Sequence, residues 1–162
     1  MPRIPTEKPN GSPYDRALLL LARREHSERE LLGKLELRGF DATESIAALH
    51  LLQEQNYQND ERFAGCLVRQ RINDGYGPRW IIAELKTHGI GGASAQARIA
   101  AEDPDWLAVA RGQLRRRYAG KIATTPAERN KRGQFLLRRG FEIDTVRSLT
   151  RAADTDGIAE LD

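Results

Sequence analysis

The chain has 162 residues, 40% hydrophobic, 30% charged and 6% aromatic, an ordinary balance for a soluble, highly helical protein. Its single cysteine excludes an intrachain disulfide and, with only three histidines, argues against a Cys/His zinc site, as fits a reducing cytoplasm. The net charge of +3 conceals an asymmetry: residues 1–56 carry 8 Lys/Arg against 9 Asp/Glu, residues 57–105 carry 6 against 7, and residues 106–162 carry 12 against 7.

The N-terminal residues 1–13 hold Pro2, Pro5 and Pro9 among polar neighbours and read as a disordered tail without the apolar core of a signal peptide. Ser12-Pro13 is a cap residue followed by a proline suited to a first helical turn, which predicts a helix over 14–24 with Ala17, Leu18, Leu20 and Leu21 on its apolar face. The aliphatic run from Ala17 to Ala22 is six residues long, far below the roughly 20 that span a bilayer. Ser27-Glu28-Arg29-Glu30 has the pattern of a capping box and predicts a second helix that buries Leu31, Leu32 and Leu35 and stops at Gly39. Asp41 or Thr43 caps a third helix, with Ile46, Leu49 and Leu52 on one face and an end near Asn56.

The same order then recurs. Asn59 caps a helix that turns Phe63, Ala64, Leu67 and Val68 inward, Gly75-Tyr76-Gly77 forms a loop, and Pro78 opens a helix whose Ile81, Ile82 and Leu85 match Leu31, Leu32 and Leu35. The following segment, with Gly91, Gly92 and several alanines around Ile99, predicts a short or loosely held helix. Asp103-Pro104 is expected to cap a third round containing Trp106, Leu107, Val109, Ala110 and Leu114. After a longer loop from Ala119 to Pro126, Arg132 and Gly133 occupy the positions where the earlier rounds have apolar pairs, leaving Phe135, Leu136 and Leu137 to bury that helix; Val146 and Leu149 serve the last one.

Three phrases close the second helix of each round: Leu35-Glu36-Leu37-Arg38-Gly39-Phe40, Leu85-Lys86-Thr87-His88-Gly89-Ile90 and Leu136-Leu137-Arg138-Arg139-Gly140-Phe141. The glycines lie 50 and 51 residues apart. A glycine just past a helix adopts the left-handed conformation that satisfies the last carbonyls, and the apolar residue after it packs back on the final turn. Regular recurrence at this period predicts an all-α fold, an elongated array of three tandem three-helix repeats, because one such unit cannot bury its apolar face alone. The expected boundaries are a tail over 1–13, repeats over 14–56, 57–103 and 104–153, and an acidic tail over 154–162.

No glycine-rich phosphate loop, metal-ligand spacing or nucleophile motif appears, so an enzyme is not expected, nor a cofactor or metal. The histidines sit in unlike positions and read as helix-end residues. The candidate binding residues are basic: Arg115, Arg116, Arg117, Lys121, Arg129, Lys131, Arg132, Arg138 and Arg139, nine within 25 positions. Phosphate backbones or an acidic protein groove are their natural partners, through charge-assisted contacts without base specificity. A solvated surface helped by cations near helix C-termini is the alternative.

The Leu-x-x-x-Gly-Phe endings, Tyr57-x-Asn59-Asp60-x-x-Phe63-Ala64, Gly77-Pro78-Arg79-Trp80-Ile81-Ile82-x-x-Leu85 and Arg138-Arg139-Gly140-Phe141 together resemble the RecX family of bacterial RecA regulators over about residues 14–152. That resemblance implies a cytoplasmic protein that binds along the groove of the RecA–DNA filament and lowers filament growth, strand exchange, ATP hydrolysis and co-protease activity. The basic third repeat would engage acidic RecA surface or nearby DNA phosphate, with weak non-specific contact to single- or double-stranded DNA. A monomer with no membrane association is expected. A general single-stranded DNA-binding module and a helical scaffold for another protein remain open.

Overall fold

The computed structural model describes residues 9–151; the two expected tails fall largely outside them. Among the described residues the regular structure is entirely helical. The order is α1 (Pro13–Arg23), α2 (Glu28–Leu37), α3 (Ala42–Glu54), α4 (Asp60–Asn73), α5 (Pro78–Thr87), α6 (Gly92–Ala101), α7 (Trp106–Tyr118), α8 (Pro126–Arg138) and α9 (Ile143–Thr150). Two compact units result, one running to Leu67 and including Leu85–Ala95, the other comprising Val68–Glu84 and the chain from Gln96 onward. The division passes through α4, α5 and α6.

Local capping accounts for most helix starts. Ser12 and Asp41 accept hydrogen bonds from the backbone N–H groups of Asp15 and Glu44, so Asp41 rather than Thr43 caps α3. Asn59 accepts from the Arg62 N–H at the start of α4. Two expectations are corrected here. Ser27 accepts from the Glu30 N–H as a capping box requires, but the Glu30 carboxylate accepts from the Arg24 guanidinium instead of reaching back, because a cation offers it a charge-assisted bond. Asp105, not Asp103, caps α7 by accepting from the Ala108 N–H, while Asp103 itself is left-handed with φ 45°.

The three glycine-closed endings share one geometry. Gly39, Gly89 and Gly140 have φ of 84°, 77° and 91° and donate to the carbonyls of Glu36, Lys86 and Leu137. The next residues, Phe40, Ile90 and Phe141, donate to Leu35, Leu85 and Leu136. This pair of bonds is the Schellman arrangement, which satisfies two otherwise open carbonyls at each helix end.

In the first unit α1, α2 and α3 pack around Ala17, Leu20, Leu31, Leu35, Phe40, Leu49 and Leu52, with Tyr14, Leu18, Leu21 and Leu32 against them. Ile46 is corrected from core to surface at 45% exposure; Ser45 and Ala48 occupy the buried face of α3 instead. The start of α2 meets the end of α5 through side chains. Ser27 Oγ and His88 Nδ1 are 2.7 Å apart, and an Arg29 guanidinium N–H donates to the Thr87 carbonyl. His26 is buried: its Nδ1 is 3.0 Å from the Arg24 carbonyl oxygen and its Nε2 is 3.2 Å from Lys34 Nζ.

In the second unit α7, α8 and α9 enclose Ala110, Leu136, Phe141 and Val146, with Trp106, Val109, Leu114, Phe135, Leu137 and Leu149 packed on them. Leu107 is mostly on the surface. Here the start of α5 meets the end of α8 through backbone. Gly77 N–H donates to the Arg139 carbonyl at 2.8 Å and Arg79 N–H to the Gly140 carbonyl at 3.0 Å. The approach is so close that a Cβ on Gly77 would lie 2.4 Å from Gly140 C, and one on Gly140 would lie 2.4 Å from Trp80 N. α6 spans ten residues, as many as α2 and α5, with Ala95 and Ile99 buried, so it is not the short helix its glycines suggest.

Candidate functional site

The basic residues are carried by α7, the loop after it, α8 and the residue following α9. Arg115, Arg116 and Arg117 stand in the last turn of α7, where cations offset the negative end of the helix dipole. Two successive left-handed residues, Ala119 (φ 51°) and Gly120 (φ 73°), turn the chain out of that helix. Thr125 and Glu128 then form a full capping box, with Pro126 opening α8. The Glu128 carboxylate also accepts from the Thr124 N–H at 2.7 Å; that bond, with the one from the Thr125 N–H, holds its pKa below the ordinary value. The box fixes where α8 begins, and hence where its cations point.

Arg132 is accommodated at a position where Leu31 and Ile81 are buried because α7 supplies an aromatic ring for it. Its guanidinium lies 4.3 Å from the Tyr118 ring centre, Arg117 lies 4.7 Å from that of Phe135, and the two rings meet edge to face at 6.4 Å. Cation, ring, ring and cation thus clasp α7 to α8, each contact adding a modest attraction. Gly133 faces α9, where a Cβ would stand at ordinary contact distance, 3.5 Å from Val146 Cγ1 and 3.8 Å from Thr150 Cγ2, and a larger side chain would not fit.

Two adjoining clefts collect most of the predicted cations. The first, of about 370 Å³, is lined by Arg111, Arg115, Lys121, Arg129, Arg132 and Arg151 with Leu114, Ile122, Leu149 and small residues between them. The second, of about 430 Å³, is lined by Arg117, Tyr118, Lys121, Ile122, Lys131 and Arg132 together with the Glu128 carboxylate. Arg116 and Arg138 are exposed and line neither. Arg139 is occupied elsewhere: one guanidinium nitrogen donates to the Asp74 carbonyl (2.8 Å) and to Gln113 Oε1 (3.0 Å), and the group lies 3.9 Å from the centre of the Tyr76 ring. Tyr76 in turn stacks on Trp80 at 4.8 Å.

Arg111 and Arg151 join the first cleft without having been expected there. Arg111 could have been found, because it stands one helical turn before Arg115 on the same face. Arg151 follows a helix whose packing brings it to the cleft, and no local pattern announces that. Among the described residues no group of three or more His, Cys, Asp or Glu side chains could hold a metal ion, and no helix is long and apolar enough to cross a membrane.

Three rounds of helices with glycine-closed endings, the last of them carrying cation-lined clefts, define an all-helical repeat protein. Three family models, describing the first, second and third three-helix domains of RecX, match residues 14–53, 59–97 and 103–149. Proteins named regulatory protein RecX from Xanthomonas axonopodis pv. citri (strain 306) and Stenotrophomonas maltophilia (strain K279a) are each 44% identical over 140 residues, covering 86% of this chain and 86% of the relative. A crystal structure of regulatory protein RecX matches with a TM-score of 0.70 at 25% identity, covering 85% of this chain and 69% of that one. The fold of RecX from Lactobacillus salivarius matches with a TM-score of 0.68 at 23% identity, covering 85% and 91%. The chain belongs to the RecX family of regulatory proteins.

Proposed function

We propose that this protein regulates the RecA recombinase by binding the RecA–DNA filament and inhibiting its growth, ATP hydrolysis, strand exchange and co-protease activity. The observation that carries the reading is the match of all three RecX domains, in order, along residues 14–149, joined to 44% identity with proteins named as regulators. The repeats, at 14–56, 57–103 and 104–153, bridge neighbouring filament subunits, and the protein acts as a cytoplasmic monomer by occupancy without chemistry of its own. The clefts of α7 and α8 supply cations for acidic filament surface or DNA phosphate.

The test is RecA ATP turnover on single-stranded DNA with rising amounts of this protein. Turnover falls progressively and is largely suppressed near stoichiometric levels; unchanged turnover at those levels overturns the reading. A general single-strand binder would instead bind a labelled oligonucleotide without slowing RecA, and a scaffold for another protein would do neither.

A further inference from the structure

The described residues end at Arg151 in the wall of the first cleft, where Leu149 and Thr150 also stand. The segment that follows, 152–162, holds Asp154, Asp156, Glu160 and Asp162 and no Lys or Arg. A run of acids is thus joined directly to a concavity of cations. Arg111, Arg115, Lys121, Arg129, Arg132 and Arg151 line that concavity, no carboxylate lines it, and none of the six forms an ion pair with another described residue. Glu128, whose charge acts on Arg132, is committed to the Thr124 and Thr125 N–H groups. Like charges gathered in one cleft repel, and an anion among them relieves that repulsion.

Reach is not an obstacle. An extended chain advances at most about 3.6 Å per residue, so Asp154 and Asp156, three and five positions past Arg151, stand within about 11 and 18 Å of it whatever path the chain takes. Anions tethered so closely act at an effective concentration in the millimolar range, enough to populate contacts that are individually weak. The segment also carries Ile158 and Leu161, and the cleft offers Leu114, Ile122 and Leu149, of which Ile122 is 80% exposed.

We propose that the acidic segment 152–162 docks on the first cleft as an internal polyanion and competes there with anions from outside. The docking concerns the isolated protein. Its regulatory consequence rests on the reading above: a cleft that serves the filament is occupied from within until a stronger polyanion displaces the segment.

The test uses the full chain without RecA. A nitroxide is attached at Ala159→Cys, with Cys66→Ser to leave one labelling site, and paramagnetic broadening of the Ile122 methyl signals is measured. The comparison is a neutral segment, Asp154→Asn, Asp156→Asn, Glu160→Gln and Asp162→Asn together, which keeps the same tether. Broadening at Ile122 should be severalfold stronger with the acidic segment, and should fall to the neutral level in about 1 M salt, where the screening length is about 3 Å, and in Arg115→Gln with Arg129→Gln. Broadening that is equal for the acidic and neutral segments overturns the docking.

Competition is read by anisotropy of a labelled single-stranded oligonucleotide. The neutral segment should raise affinity about three- to tenfold, and should steepen the salt dependence, because carboxylates no longer stand in for the counterions that a polyanion releases. Equal affinities, or binding by neither form, overturn the competition. Because RecA is absent, those results leave the inhibition of ATP turnover standing, and a failure of inhibition leaves the docking standing.

Discussion

Gly77 and His26 show how single residues decide a joint. The α5–α8 approach in the second unit leaves no volume for a side chain at Gly77, and the atoms in the way are backbone, which cannot rotate aside. Gly77→Ala is expected to destabilise by about 3 kcal/mol, the upper end of overpacking costs, measured by urea unfolding. His26 works differently. Burial lowers its pKa from the ordinary 6.5, and the nearby Arg24 and Lys34 charges lower it further, against the Arg24 carbonyl and Glu30, which favour the charged form. Across the surface it meets, the facing ionisable groups are Arg24, Glu30 and Lys34. A histidine kept neutral in the folded state binds fewer protons there than when unfolded, so its contribution is complete above about pH 6.5 and is lost as pH falls through the depressed folded value. The urea midpoint should decline between pH 7 and pH 5, and His26→Gln should flatten that decline; an equally steep profile in the variant would assign the effect to another group. Neither residue announces its role in the sequence. Gly77 looks like an ordinary loop glycine until Gly140 is brought against it, and His26 reads as a helix break.

At the scale of elements, α8 differs most from its counterparts α2 and α5. The apolar pair of each earlier helix, Leu31-Leu32 and Ile81-Ile82, becomes Arg132-Gly133, and the structure shows two separate compensations. Tyr118 receives the guanidinium, and α9 closes over the glycine. Gly133→Ala should be tolerated, because its Cβ would meet Val146 and Thr150 at ordinary contact distances, and helix propensity favours alanine by about 1 kcal/mol. Gly133→Leu, which restores the earlier pattern, should destabilise by about 1–3 kcal/mol by forcing α9 outward. Thermal melts of the two variants would move in opposite directions. The departure at Arg132-Gly133 was legible in the sequence as a break in the repeat. Its meaning was not, because Tyr118 and Val146 lie 14 and 13 positions away on other helices.

Over the whole molecule, charge and architecture divide the work. The basic excess lies in the last third of the chain, and the clefts of α7 and α8 concentrate it into defined geometry. If those clefts engage the filament, Arg115→Glu with Arg129→Glu should raise by about tenfold the concentration needed to inhibit RecA ATP turnover, while circular dichroism stays unchanged because neither side chain is buried. Arg139 is excluded from that variant by its bonds to Asp74 and Gln113; reversing its charge would break the contacts that tie the end of α8 to α7 and to the loop after α4 and confuse lost folding with lost binding.

The sequence by itself determined the helical class, the repeated glycine-closed endings, most helix starts and the location of the basic excess. Each depends on neighbours within about one helical turn: a cap residue and the N–H three positions on, or a glycine and the carbonyls just before it. Only the tertiary structure decided which cations share a cleft, which one is locked into a joint, and why an arginine and a glycine fit where leucines stood. Arg139 reaches Asp74 across 65 positions, and Arg151 joins Arg111 only because α9 packs on α7 and α8. Contacts of that range follow from how helix faces meet, and residue spacing along the chain carries no record of them.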